Sequence, residues 1–540
     1  MNSDDAAASP STASTEAPPS TAPPPRHVDV LIVGAGLSGI GAACHLTRAL
    51  PKLTYVVLEG REATGGTWDL FRYPGIRSDS DMQTFAYRFR PWHDPRAIVD
   101  GASVLAYLRE TAAEYGVDRR IRTGHRVTGA EWSSSAARWT VRVRRTAATG
   151  EGPPESEEVT YTCRFLQLCT GYYRYEHGHT PDFPGREEYT GRVVHPQHWP
   201  ADLDHSGRRV AVIGSGATAM TLVPALARDA AHVTMVQRSP TYVVPLPEVD
   251  PVARVLARIA GKKAAQPVVR WKNILVGVGS YQLGQRLPTV ARALIRTAVK
   301  RRLPAGFDVG THFNPRYKPW DQRLCVVPDG DLFRALSDRR AEVVTDHIDT
   351  FIPDGLRLAS GREVRADVVV TATGLDLLAF GGVRLSVDGA EVRLHDTVTY
   401  RGLMLDGVPN LAFTLGYTNA SWTLKADLTA AFVCRLLAHL DATSRQVCVP
   451  DAAGAGERRP LLDFSAGYVR RSVHAFPQSG TRDPWRVGTN YPSDLRAFRR
   501  ARLDDGTLRF GGPVSPTERA NASRGPVHGR PEGVPQEPTR

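Results

Sequence analysis

The feature that most constrains this chain is a strand–turn–helix pattern that occurs twice. At residues 28–46 the sequence reads VDVLIVGAGLSGIGAACHL. The apolar run Val28–Val33 predicts a buried strand. Gly34, Gly36 and Gly39 then form GxGxxG ahead of an Ala-rich helix. Each glycine has a physical reason to be there. Gly34 allows a tight turn, Gly36 lets backbone approach a pyrophosphate, and Gly39 lets helix and strand pack closely. The helix N-terminus offers free N–H groups and a positive dipole to phosphates. Ser38 lies in that first turn. A second strand, TYVVLEG, ends in Glu59, and a carboxylate there accepts hydrogen bonds from a ribose diol and repels a 2′-phosphate.

The second copy, RRVAVIGSGATAMTLVPAL, spans 208–226. Gly214, Ser215, Gly216, Ala217, Thr218, Ala219 and Met220 make its turn and first helical residues, with GxGxxA in place of GxGxxG. The strand that follows, HVTMVQRSP, carries Gln237 and then Arg238 where the first copy has its acid. A guanidinium there pairs with a 2′-phosphate through charge-assisted bonds. The expectation is FAD on the first turn and NADP, as NADPH, on the second. Two more apolar strands close in small-Thr-Gly turns, RFLQLCTGYY at Gly171 and ADVVVTATGLD at Gly374. They suit points where the chain leaves and re-enters a dinucleotide domain.

The expected fold is therefore α/β, with two doubly wound Rossmann-like domains and a helical insertion. Residues 27–177 and 375–510 are assigned to the FAD domain, the latter also to the substrate pocket. Residues 178–374 are assigned to the NADP domain, with a helical insertion at 250–320. Such a division suits a chain of 540 residues, 41 % of them hydrophobic, which is too long for one core. Residues 1–26 are rich in Ser, Thr, Ala and Pro, and 511–540 in Pro, Gly and Arg. Both are expected to be disordered tails.

The six cysteines are irregularly spaced and contain no CxxC pair. Structural zinc, a disulfide framework and the redox pair of a disulfide reductase are therefore disfavoured, no metal is expected, and a reducing cytoplasm fits best. No apolar run is long enough to span a bilayer. The net charge of +12 is concentrated: residues 252–307 contain twelve Lys/Arg and no Asp or Glu. Three readings stay open for this block, namely a solvated helical face, attraction of an anionic cofactor, and peripheral contact with anionic lipid. Nucleic acid is disfavoured because no recognised module accompanies the charge.

Past Glu59 the sequence runs GGTWDLFRYPGIRSDSDMQTF, residues 65–85, and YTGRVVHPQHWP occupies 189–200. With the two nucleotide motifs, these stretches resemble the flavin-dependent Baeyer–Villiger monooxygenases. The family's linker fingerprint FxGxxxHxxxW[PD] falls on Tyr189, Gly191, His195, Trp199 and Pro200, with Tyr replacing Phe. The resemblance covers about residues 27–510. It implies an enzyme in which NADPH reduces FAD, O2 adds to give a C4a-peroxyflavin, and oxygen enters a ketone to give an ester or lactone. It also implies S-oxygenation of thioethers or thioamides. A flavin monooxygenase confined to nitrogen and sulfur is the alternative, and a membrane- or partner-binding flavoprotein a more remote one.

The resemblance also implies roles. Arg323, in PWDQRLC, would stabilise the anionic oxygen and contact nicotinamide; this chain has Gln322 where relatives commonly carry Lys. Asp79 would orient Arg323. FAD contacts would fall on Ser38, Glu59, Thr67, Trp68, Asp69, Leu70, Asp79 and Val127, and NADP contacts on Arg77 and Ser78 beside the second turn. His195 would brace the linker across a buried hydrogen bond, coupling NADP-domain movement to flavin chemistry.

Overall fold

The computed structural model describes residues 26–146, 156–462, 464 and 466–513. Along the chain, strand β1 (Arg26–Val33) leads into helix α1 (Leu37–Ala49) and strand β2 (Tyr55–Leu58). A short β3 (Ile121–Arg122) precedes the long strands β4 (His125–Ser133), β5 (Arg138–Thr146) and β6 (Ser156–Leu168). Then come β7 (Tyr173–Gly178), β8 (Arg192–Val194), β9 (Arg209–Ile213), α2 (Ala217–Leu226) and β10 (His232–Gln237). Three helices follow, α3 (Pro251–Ala260), α4 (Lys262–Arg286) and α5 (Pro288–Lys300). Strands β11 (Ala341–Thr345), β12 (Val368–Thr371), β13 (Leu375–Leu377), β14 (Arg384–Val387) and β15 (Leu411–Phe413) lead to α6 (Trp422–Ala442).

These elements form two large sheets. The first contains β14–β4–β5–β6–β1–β2–β3, with β15 also on β6 and a two-residue strand at its β14 edge. Its nucleotide-binding half, β6–β1–β2–β3, is parallel, while β4, β5 and β6 form an antiparallel meander. The second sheet, β11–β10–β9–β12–β8, is parallel throughout. Strands β1 and β9 are buried on both faces, as their continuous apolar runs require. Each sheet has its own cores: α1 and α6 cover one face of the first, and α2 packs on the second.

The chain passes between the sheets twice, and the two crossings are hydrogen-bonded to each other. Strand β7 pairs antiparallel with β13, matching Gly178 with Leu375 and Tyr173 with Leu377. Both crossings thus lie in one ribbon.

Two expected boundaries need correction. Arg26 begins β1, in register with Tyr161, because its backbone can extend the ladder although its side chain is exposed. Gly511 closes a two-stranded ribbon by pairing with Val447. Residues 1–25 and 514–540 lie outside the described residues. No described helix is long and apolar enough to cross a membrane, and no described cluster of His, Cys, Asp and Glu could hold a metal ion.

Candidate active site

The two glycine turns are built alike. Gly34 has φ +101°, and a Cβ there would lie 2.6 Å from the Cys169 carbonyl oxygen at the end of β6. Gly214 has φ +133°, and its Cβ would lie 2.3 Å from the Ala372 carbonyl oxygen beyond β12. In both sheets the turn sits where the central strand meets a crossover neighbour, the place where α/β sheets open a crevice. The middle glycines face free space: a Cβ on Gly216 meets nothing within 4 Å, and one on Gly36 meets only Gly66 backbone, at 3.5 Å.

One cavity of about 580 Å³ joins both turns. Its wall includes Gly34, Gly36, Ser38, Glu59, Thr67, Trp68 and Val127 from the first sheet's side. Gly216, Ala217 and Thr218 contribute from the second turn, and Arg77, Ser78, Asp79 and Arg323 complete the wall. Residues far apart in sequence thus surround one volume because the β7–β13 ribbon holds the sheets together.

Glu59 is buried beyond the end of β2. Its carboxylate accepts from the backbone N–H groups of Ala35, at 2.8 Å, and Arg61, at 3.0 Å. Burial raises its pKa, and these two bonds oppose the rise. The remaining lone pairs suit a diol. Ser38 accepts from the Trp422 indole at 2.9 Å, which ties α1 to the start of α6.

Arg323 meets Asp79 through two contacts, Nε to Oδ2 at 2.6 Å and Nη2 to Oδ1 at 2.9 Å. Nη2 also donates to the Ser80 hydroxyl at 3.1 Å. The neighbouring acid Asp81 is used otherwise: it caps the short helix Met82–Phe85 and accepts from Asn273. Burial is the largest single effect on Arg323 and lowers its pKa, but Asp79 together with Tyr172, Tyr468 and Tyr173 outweighs it, so the guanidinium pKa is raised and the charge is permanent. The side chain stays one-third exposed, at 33 %, and it lies on the cavity wall.

Sequence reasoning missed the aromatic wall beside this pair. Tyr172 packs in tilted contact with Tyr173 and Trp422, with ring centroids 4.5 and 5.1 Å apart, and Tyr468 also lines the cavity. Burial raises the pKa of all three tyrosines, so they remain neutral phenols. Tyr172 and Tyr173 had a signal, since they follow the Thr170-Gly171 exit at a parallel strand's carboxyl end. Tyr468 had none, because only folding brings it to Arg323.

Several expected contacts stand off the cavity wall. Gly39 and Gly214 shape the turns from behind; a Cβ on Gly39 would lie 1.8 Å from the Gly34 carbonyl oxygen. In the helical turn Thr67–Leu70, Thr67 and Trp68 reach the cavity and Asp69 and Leu70 do not. The Asp69 carboxylate is instead held by Arg61 at 2.7 Å and Arg109 at 2.9 Å. Ala219 and Met220 are packed into the second core, and Ser215 donates to the Ser239 carbonyl at 2.8 Å.

The second acid-equivalent position also shifts. Gly34 N–H donates to the Leu58 carbonyl, and Gly214 N–H donates to that of Val236. This register puts Gln237, not Arg238, where Glu59 stands. The Gln237 amide is buried and donates to the His312 carbonyl and the Thr345 hydroxyl, at 2.9 and 2.8 Å. Arg238, one residue on, is exposed beside the turn but is not part of the cavity wall.

The fingerprint residues converge on the crossings. His195 Nε2 donates to the Gly374 carbonyl at 3.0 Å, while Nδ1 accepts from the Gln197 N–H at 3.2 Å. These bonds require the neutral ring with its proton on Nε2, and burial lowers the pKa accordingly. The same ring lies against Gly178, where a Cβ would come within 2.0 Å of it. Tyr189 donates to the Ala366 carbonyl at 2.9 Å, and Gly191 gives room for the Tyr189 hydroxyl. Trp199 packs on the second core, Pro200 is half-buried and His198 is exposed.

Two parallel glycine-turn domains opening on one crevice define a two-dinucleotide α/β oxidoreductase. Residues 28–263 match the family described as pyridine nucleotide-disulphide oxidoreductase. All six cysteines are nevertheless free and buried. The two on the cavity wall, Cys169 and Cys325, have pKa values pushed up by burial to about 12, so neither offers a redox thiolate. The chain is 51 % identical to the FAD-containing monooxygenase EthA of Mycobacterium tuberculosis over 90 % of its length and 98 % of that protein's. Identity to EthA of Mycolicibacterium smegmatis is 50 %, covering 90 % of this chain and 97 % of that one. In fold it is similar to the NADP+-bound cyclohexanone monooxygenase from Rhodococcus sp. Phi1, with TM-score 0.70, 18 % identity, and coverage of 91 % of this chain and 100 % of the other. The chain belongs to the FAD-containing monooxygenases.

Proposed function

We propose that this protein oxygenates ketones to esters or lactones with NADPH and O2, and that the same site oxygenates sulfur in thioethers and thioamides. The observation that carries the reading is the Arg323–Asp79–Ser80 cluster on a cavity shared by two nucleotide turns. The residues present fit FAD on the first turn: Gly36 leaves a backbone cradle, and Glu59 points a carboxylate into the wall. They fit NADP on the second, where Gly216 faces free space and Arg238 is exposed nearby. When bound and reduced, the flavin supplies the activation of O2.

The protein's own part is electrostatic. Arg323 holds a permanent positive charge at the cavity wall, where an oxygen anion gains most from it. Asp79 fixes the guanidinium plane through two contacts, and Nη1, held only by a long 3.5 Å bond to the Thr418 carbonyl, is the nitrogen best placed to turn to substrate or nicotinamide. Arg77, paired with Asp331 at 2.5 Å, keeps a buried Nη2 without a hydrogen-bond partner among the described residues. This donor suits a phosphate or amide oxygen of NADP. Tyr172, Tyr173 and Trp422 supply apolar walls that keep water from the reacting atoms.

A panel of ketones and thioethers, assayed with NADPH and with products identified, tests the proposal. Esters or lactones from ketones are expected. Sulfoxides without any ester would assign the enzyme to the nitrogen- and sulfur-oxygenating class.

A further inference from the structure

We propose that helices α3, α4 and α5 dock this enzyme onto an anionic lipid bilayer. The large apolar side chains that stand exposed among the described residues all fall between Leu246 and Leu294. On each helix they recur at i, i+3 and i+7, which places them along one face. On α3 these are Val252, Val255 and Ile259; on α4, Val268, Trp271 and Leu275; on α5 and its cap, Leu287, Val290 and Leu294. Ile259 is 78 % exposed, and Leu275 and Leu294 are each 58 % exposed. Elsewhere the described surface keeps large apolar residues inside, so this face is a local exception that calls for a partner.

The charges on these helices fall into two groups. Arg270, Lys272 and Arg292 are used internally: Arg270 donates to the Gln83 and Ala86 carbonyls, Lys272 pairs with Asp250, and Arg292 donates to the Tyr242 hydroxyl. The cations Arg254, Arg258, Lys262, Lys263, Arg286, Arg296 and Lys300 remain exposed. No acid interrupts residues 252–307. Apolar residues bracketed by exposed cations are the composition of a helix lying in the headgroup layer, with its apolar side in the acyl boundary.

Charge also selects among occupants. A second copy on the same face would oppose one cationic surface to an identical one, a repulsive arrangement. Nucleic acid would leave the apolar stripes without a partner. An anionic bilayer satisfies both components. The face is joined to the candidate site, because Gly284 of α4 lies against Pro319 and Trp320, three residues before Arg323.

Co-sedimentation of the flavin-loaded enzyme with phosphatidylcholine vesicles, with and without phosphatidylglycerol, tests this. Binding that requires phosphatidylglycerol and weakens with salt is expected. Ile259→Ser/Leu275→Ser/Leu294→Ser and Arg258→Glu/Lys262→Glu/Lys263→Glu variants should each bind roughly ten-fold less, with flavin content and NADPH oxidation unchanged. Equal pelleting of wild type and intact variants would overturn the proposal. So would sedimentation velocity showing a wild-type dimer that the serine variant abolishes, without vesicle binding. Should the variants lose flavin, the wild type decides alone: equal pelleting with and without phosphatidylglycerol overturns docking.

Discussion

At the scale of single residues, Arg323 and Asp79 concentrate the chemistry. Arg323→Ala removes the fixed charge but not the nucleotide turns. It is expected to lower ester formation by roughly 10²–10³-fold or more while flavin reduction by NADPH continues; product analysis beside stopped-flow flavin absorbance checks this. Asp79→Asn leaves the charge but loosens its plane, so it should cost less than Arg323→Ala in the same assay. Arg238→Ala should raise KM for NADPH far more than for NADH. Equal effects would mean that Arg238 does not read the 2′-phosphate. These residues differ in how far the sequence revealed them. Spacing alone could not separate Asp79 from Asp81 on an extended segment. The structure separates them because Asp81 caps the helix Met82–Phe85 and binds Asn273. Gln237 could not be told from a ligand until the Gly214–Val236 ladder bond set the register.

Among elements, the crossing ribbon β7–β13 and the stretch around His195 decide how the two sheets are held. His195 is within hydrogen-bond reach of one crossing, at Gly374, and in contact with the other, at Gly178. Burial lowers its pKa from the usual 6.5, with the Gly374 bond acting the other way and His198, His179 and Asp376 nearby. The unfolded ring therefore protonates first as pH falls. Its contribution to stability is whole above about pH 6.5 and is lost as pH drops from there toward the lower folded value. His195→Gln should remove that share of the acid sensitivity, read as a smaller fall in Tm between pH 7.5 and 5.5. The same variant should lower turnover with little change in flavin content, since the ring touches linker backbone rather than a nucleotide turn.

For the whole molecule, binding between two domains predicts linked stabilities. Stripping FAD should lower Tm, and adding it back at about 100 times Kd should restore roughly 2.7 kcal/mol. NADP+ should add a further rise that Arg238→Ala diminishes, and differential scanning fluorimetry measures both. The sequence by itself determined the two glycine turns, the strands feeding them, the acid at Glu59 and the amphipathic helices. All of these are local patterns, set by steric demands within a few residues or by helical period. Only the tertiary structure decided that Asp81 is spent on a helix cap and Asn273, that Gln237 is sequestered, and that Tyr468 joins Tyr172. Only it showed that the stripes at Ile259, Leu275 and Leu294 face outward rather than into a core. Those outcomes depend on register between distant strands and on which face another element covers, and neither is encoded in the spacing of neighbouring residues.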